Sequence, residues 1–477
     1  MPADPVPDLL FSATQALEAE FRSLPPYLPS TAAATDAVAM ARILDIVAWR
    51  LGDNYPYFHP LYAGQMLKPP HPIARAAYAL AMTLNPNNHA LDGGRASSQM
   101  EIEAVAEIAA MFGWGARKPE SGKSAATKTR LGKARPDKHA YLGHLTSSGT
   151  MANLEALWVA GQLEPGKRIL ASEQAHYTHQ RISSVLKLPF TSVKTDSRGR
   201  ISLEALEDAL RKGDVGAVVV TLGTTAVGAV DPLDQILELR RRYKFRIHVD
   251  AAYGGYFRLI AAKLDDAARA SFDAIDQADS IVVDPHKHGL QPYGCGCILF
   301  RDPGVGRFYK HDSPYTYFTS KELHLGEISL ECSRAGAAAV ALWATQQLLP
   351  LTPDGDFARG LAQGHSAALD LDSRLRRSAH FQPLAAGPPE LDIAVWKCKA
   401  ASLAASSALA HKTFVACAKD DLHLALVQLP HSWFRSSAGA AAGNKSKTVT
   451  CLRSVLMKPE HQEWLDTIWR RLTSASS

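Results

Sequence analysis

The chain has 477 residues, 46% of them hydrophobic and 21% charged, a balance that excludes a disordered or fibrous protein and leaves room for about two to three folding units. Lysine and arginine number 52 against 47 aspartate and glutamate, a net +5, too small an excess at this length to mark a nucleic-acid binder. The six cysteines, at 295, 297, 332, 398, 417 and 451, are too scattered for a disulfide scaffold. Cys295 and Cys297, one residue apart, do not make a zinc site without a second ligand pair, so free thiols and no metal are expected.

The N-terminal "MPADPVPDLL" lacks the basic start and apolar stretch of a secretory signal. No apolar run approaches the ~20 residues of a membrane span, so a cytoplasmic location without membrane contact is expected. Residues 1–90 read as a helical arm, with helical spacing in "AVAMARILDIVAWRL" and a proline-rich passage from Tyr55 to Pro72. A second periodic stretch, Met100 to Trp114, ends at Gly113 and Gly115. Between Arg117 and Lys138 eight basic residues face only Glu120 and Asp137, which predicts a solvated surface insert, since no aromatics are interleaved to stack on bases.

From about residue 140 short β-branched runs alternate with helical segments: "RIL" at 168, "AVVVTLG" at 217, "RIHVDAAY" at 246, "SIVVDPH" at 280 and "CGCILF" at 295. This texture predicts an α/β unit over 91–345 with a mostly parallel sheet covered by helices. After Trp343 a smaller α+β unit over 346–477 is expected, from the strand "LDIAVWKCK" to the helix "EHQEWLDTIWRRL", with a loop at 436–447. In doubly wound sheets ligands sit outside the carboxyl ends of the strands, so the residues ending each run are the candidates.

Three such ends matter together. "HVDAAY" leaves Asp250, "VVDPHK" leaves Lys287, and "LTSSGTMANLEAL" leaves Ser148, Gly149 and Thr150 at the start of an amphipathic helix. Singly, an aspartate there forms turns, a Ser/Gly turn caps a helix, and a lysine is solvated. In one α/β region they supply what pyridoxal phosphate requires: an amine to capture its aldehyde, a carboxylate for its pyridine nitrogen, and free helix amides for its phosphate.

In these motifs the sequence resembles the group II pyridoxal-phosphate decarboxylases, from about His59 to the C-terminal helix. The resemblance implies the aspartate aminotransferase type of fold (fold type I), with a large domain built on a mostly parallel seven-stranded sheet and a smaller C-terminal domain. It also implies a homodimer with the active site at the subunit interface. It places the cofactor lysine on Lys287 of "DPHKHG", with Asp284 and His286 beside it, and the pyridine-binding acid on Asp250, with Ala252 under the ring. It places the ring-stacking histidine on His176 of "SEQAHYTHQRI", and Thr224 and Thr225 near the phenolic oxygen. Arg334 of "LECSRAG" matches an arginine kept after the family's mobile loop, as a substrate ligand or as an ion pair holding a helix to the sheet. That loop, "HDSPYTYFTSKELHLGEISLECSR", offers Tyr315 and Tyr317 as proton donors; Phe318 beside them bears on aldehyde-forming chemistry. Ala96, Ser97 and Ser98 of "GRASSQMEIE" are candidates for the substrate pocket. His59, Tyr62 and Trp114 are candidates either for an aromatic wall to it or for core packing.

The implied reaction is decarboxylation of an L-amino acid, with an aromatic one favoured, to the amine and carbon dioxide. The alternatives are a related carbon-carbon lyase or aldehyde synthase, and a non-catalytic cofactor-binding paralogue. The sequence departs from the family where an aromatic residue commonly follows the lysine: here stands His288.

Overall fold

The computed structural model describes residues 4–27, 36–89, 92–114, 141–310, 329–434 and 448–476. The basic insert, Tyr315, Tyr317 and the 436–447 segment fall outside them. The lead-in contributes helices α1 (Val6–Glu20), α2 (Ala37–Leu51) and α3 (Pro72–Met82), followed by α4 (Arg95–Met111). Asp36 caps α2, its carboxylate accepting from Val38 N at 2.9 Å. His71 does the same for α3, its Nδ1 accepting from Ile73 N at 3.2 Å with Pro72 in the first turn.

The main sheet has seven strands: β1 (Leu142–Thr146), β2 (Arg168–Ser172), β3 (Phe190–Val193), β4 (Val215–Thr221), β5 (Arg246–Asp250), β6 (Ser280–Val283) and β7 (Gly296–Phe300). Their order across the sheet is β1-β7-β6-β5-β4-β2-β3. β2 through β6 pair in parallel, and β7 runs antiparallel to both neighbours, Leu142 facing Phe300 and Val283 facing Cys297. β4 is buried at every position, as a strand covered on both faces must be. The helices that cover the sheet include α5 (Gly149–Leu163), α6 (Thr178–Val185), α7 (Leu203–Leu210), α8 (Leu233–Tyr243) and α9 (Asp266–Asp273), while α10 (Gly336–Leu348) packs against α3 and α4.

The smaller unit packs α11 (Asp356–Arg377), α12 (Leu403–Lys419) and α13 (His461–Ala475) on an antiparallel sheet of order β10-β11-β9-β8. Its strands are β8 (Phe381–Pro383), β9 (Ile393–Cys398), β10 (Ala425–Pro430) and β11 (Thr448–Val455). A separate apolar core around Trp396, Phe381, Leu371 and Ile468 holds it together. This mixed large sheet with a smaller antiparallel one is the fold type I arrangement that the resemblance implies. Among the described residues no helix is long and apolar enough to cross a membrane, and all six cysteines are free.

Three aromatic candidates for one pocket wall stand in three places. His59 packs edge-on against Trp464 at 4.8 Å between ring centroids, its Nδ1 accepting from Leu61 N. Tyr62 meets Tyr57 at 4.9 Å. Trp114 is in the main core, its indole N–H donating to Asp276 O at 2.8 Å. Core packing, not a shared aromatic wall, is what their surroundings supply.

Candidate active site

β1, β2, β4, β5 and β6 run in one direction and release their chains at one end of the sheet, where the released residues surround a cavity of about 210 Å³. From the turn after β1 come Ser148, Gly149 and Thr150 at the start of α5. His176 and Thr178 follow β2, and Gly223 and Thr225 follow β4. β5 contributes Asp250 and, beyond it, Ala252 and Tyr253, while β6 is followed by Asp284, His286 and Lys287. Lys287 lies in the 284–295 connection between β6 and the antiparallel β7, the device that brings the chain straight back across the sheet.

Ser148 caps α5, its Oγ accepting from Met151 N at 3.2 Å. The amides of Gly149 and Thr150 are in the first turn, where no intrahelical acceptor exists. Gly149 has a steric reason to be glycine: a Cβ there would lie 2.6 Å from both carboxylate oxygens of Asp284. Asp284 in turn reaches Lys287 Nζ with Oδ2 at 3.1 Å, while Oδ1 is buried without a partner. His286 is held by its Nδ1–H donating to Cys295 O at 2.7 Å and lies 4.8 Å from the Tyr293 ring. Burial lowers its pKa, with the charge of Asp284 opposing that effect and the charge of Lys287 adding to it.

Asp250 is wholly inside. His179 Nε2–H donates to its Oδ2 at 2.7 Å, Asn153 Nδ2 approaches the same oxygen at 3.4 Å, and Ala252 N donates to Oδ1 at 3.1 Å. Burial works to raise its pKa, but the hydrogen bond and charge of His179, with His248 and Lys287, outweigh it and hold the carboxyl below the usual carboxylate range. Asn153 is itself oriented by His248, whose Nε2 donates to its Oδ1 at 2.7 Å; the Nδ1 of His248 meets Ser280 Oγ at 2.9 Å. His176 is fixed by Thr178, Nδ1 to Oγ1 at 2.8 Å, and its pKa is lowered, first by burial.

Not every sequence candidate enters this cavity. Thr224 is buried, its hydroxyl accepting from Ala229 N at 3.0 Å and its own N–H donating to Ala229 O. It clamps the turn that presents Thr225, a turn begun by Gly223 at φ +103°, where a side chain would be strained. Arg334 is taken up by the scaffold. Its Nη1 donates to Glu101 Oε1 at 2.6 Å and Leu145 O at 2.8 Å, and its Nη2 to Asn88 O at 3.1 Å. Of the two roles open to Arg334 from the sequence, the geometry supplies the ion pair. Ser97 is buried and bonded to Asn88 Oδ1, Ser98 is buried, and Ala96 is exposed at the start of α4; none of the three lines the cavity.

Sequence reading passed over Asn153, Thr178, Tyr253, His179 and His248. Two were accessible to periodicity: His248 shares the β5 face of Asp250 at spacing two, and Asn153 lies one helical turn beyond Gly149. Tyr253 was not, because its partner is remote: its hydroxyl donates to Asp392 Oδ1 at 2.5 Å, from the smaller unit. Burial pushes the Asp392 carboxyl up to about 6. Arg453 of β11 likewise donates to Thr225 O at 2.7 Å and Ala226 O at 3.1 Å.

Known proteins resemble the chain in sequence and in fold. The profile of the pyridoxal-dependent decarboxylase conserved domain matches residues 54–349. An L-tyrosine decarboxylase of Enterococcus faecium is 29% identical, the match covering 66% of this chain and 64% of that one. The chain thus spans less than two thirds of the length of that relative, and 63% of a second tyrosine decarboxylase, from Levilactobacillus brevis. Among solved structures, Oryza sativa TDC with PLP and tryptamine superposes with a TM-score of 0.73 at 16% identity, over 100% of this chain and 99% of that one. Rhodiola rosea 4-hydroxyphenylacetaldehyde synthase gives 0.72 at 17% identity, over 98% and 96%. The residues around the cavity suit pyridoxal phosphate: an amine, an ionised buried acid, an imidazole and a capped helix start with free amides, with Gly149 leaving the room a side chain would fill. By its matched domain and its fold, the chain belongs to the pyridoxal-dependent decarboxylase family.

Proposed function

We propose that the protein is a pyridoxal-phosphate-dependent carboxy-lyase that converts an L-amino acid, preferentially an aromatic one, to the amine and carbon dioxide. The observation that carries this reading is the convergence of Lys287, Asp250 and His176 on one cavity at the carboxyl ends of the parallel strands. When bound, the cofactor supplies an electron-withdrawing ring conjugated to the substrate Cα. Lys287 presents the amine that holds the cofactor, and Asp284, 3.1 Å away, steadies that amine while it waits. Asp250, kept ionised, would hold the cofactor's ring nitrogen and stabilise positive charge there. His176, at the cavity wall, would hold the ring from one face and orient the substrate carboxylate. The first amides of α5, with the Ser148 and Thr150 hydroxyls, would hold the phosphate. The bond from Cα to the carboxylate carbon breaks, carbon dioxide leaves, and a proton returns to Cα; Tyr315 and Tyr317 are the proposed donors. The aromatic preference draws on the tyrosine decarboxylases among the relatives.

We also propose a homodimer in a reducing, cytoplasmic setting. None of the residues of α2 is buried, and Val38, Ile43, Leu44 and Trp49 stand exposed on it, an apolar surface that a second subunit would cover. We divide the chain into the arm 1–90, the large domain 91–345 and the small domain 346–477. The test of function is incubation of the cofactor-loaded protein with each amino acid, scoring carbon dioxide and amine. Amine from an aromatic substrate supports the reading. An aldehyde with hydrogen peroxide and ammonia points to the synthase chemistry instead, and no turnover across the panel despite a lysine-bound cofactor points to a non-catalytic paralogue.

A further inference from the structure

The segment that follows β2 carries two histidines three residues apart with different fates. His176 lines the cavity. His179, in the first turn of α6, is fully buried, and its Nε2 lies 2.7 Å from Asp250 Oδ2, with side-chain exposures of 1% and 5%. An ionised carboxylate only accepts, so the shared proton sits on Nε2; Nδ1 is left buried without a partner. A residue placed only to fill this volume would be apolar, because an imidazole here carries the cost of that unpaired nitrogen.

The two oxygens of Asp250 are also unequally engaged. Oδ2 receives His179 and, at 3.4 Å, Asn153; Oδ1 receives only the Ala252 amide at 3.1 Å. Oδ1 therefore keeps acceptor capacity. We propose that His179 is a positioning residue: by holding Oδ2 it fixes the orientation and charge of Asp250, so that Oδ1 is presented to the protonated nitrogen of a heterocyclic cofactor. The inference rests on the cofactor reading above and adds a residue that touches neither cofactor nor substrate. The other titratable groups around this pair are His176 from the same segment, His248 from β5, and Asp284, His286 and Lys287 from the connection after β6.

The experiment compares His179→Phe, His179→Gln and His179→Ala in the full-length chain. Glutamine places an amide N–H near the position of Nε2, phenylalanine keeps the volume without a donor, and alanine opens the site to added imidazole. Two readouts are followed: the dissociation constant of pyridoxal phosphate from the apoprotein, and the pH midpoint at which the visible absorbance of the bound cofactor changes. The expected result is at least tenfold weaker binding and a displaced midpoint in the phenylalanine and alanine variants, with most of both restored by glutamine or by imidazole added to the alanine variant. The proposal is overturned if the phenylalanine variant binds like wild type with an unmoved midpoint, or if glutamine does no better than phenylalanine. If the phenylalanine variant does not fold, the alanine variant with and without imidazole decides by the same readouts, and absence of rescue overturns the proposal. Borohydride fixation of the cofactor to Lys287 in the wild-type protein tests the underlying reading separately: if it fails, that reading fails whatever the His179 variants do.

Discussion

Two buried carboxylates of the large domain sit in polar clusters that look alike by composition and differ in closure. Glu101 has both oxygens occupied, by Arg334 Nη1 and Leu145 N on one and by Asn88 Nδ2 on the other. Its partners close over it, and none of them lines the cavity at Asp250. Asp250 is as deeply placed, yet its cluster opens on about 210 Å³ of space, and its Oδ1 receives only the Ala252 amide at 3.1 Å. A buried ionic cluster whose carboxylate is fully occupied is a fastening. One that keeps spare hydrogen-bond capacity beside a void is prepared for a ligand.

The largest expected effect comes from the open cluster. Lys287→Ala should abolish the borohydride-fixed adduct and lower turnover by about 10³-fold or more, while the denaturation midpoint of the apoprotein stays near wild type. A collapse of stability instead would erase the distinction. In the closed cluster the pattern should invert. Arg334→Ala leaves Glu101 buried without its cation and should cost about 3–5 kcal/mol in urea unfolding, and replacing both residues by apolar ones of similar volume should recover most of it. If Arg334→Ala leaves unfolding untouched and raises KM, Arg334 belongs to the site after all.

A finer probe is Gly149→Ala, whose Cβ would press on the Asp284 carboxylate at 2.6 Å. Cofactor affinity should fall about tenfold or more, read by absorbance titration, with little change in fold. A last probe separates two histidines by pH. Burial lowers both His248 and His461 to about 3 from an ordinary value of 6.5. Between those limits the unfolded chain binds the extra proton, so stability falls as pH falls from about 6.5 toward 3, roughly tenfold in the folding equilibrium per pH unit for each histidine. His461→Gln should flatten that acid limb without altering cofactor binding. His248→Gln should flatten it and also weaken the cofactor, because His248 orients Asn153 at Asp250.

Much of this was legible in the chain. The parallel run β2, β4, β5, β6 announced itself through β-branched stretches, and the motifs "HVDAAY", "DPHK" and "SSGT" marked the residues that line the cavity. What escaped was set by tertiary partners. β3, "FTSV", is short and only partly buried, and so gave no apolar signal. Whether Arg334 meets a substrate or Glu101, and whether Thr224 or Thr225 faces inward, depends on distances across 233 residues of sequence in one case and on a turn conformation in the other. His179 was hidden for a plainer reason: a histidine three places after another on a helix start is ordinary until the carboxylate above it is seen.

The reach of the smaller unit into the cavity wall has its own consequence. Asp392 grips the Tyr253 phenol and Arg453 the Thr225 carbonyl, so a rotation of that unit against the large sheet must tug on two walls of the chamber at once. Widening the entrance and loosening the grip on whatever lies inside would then be a single movement.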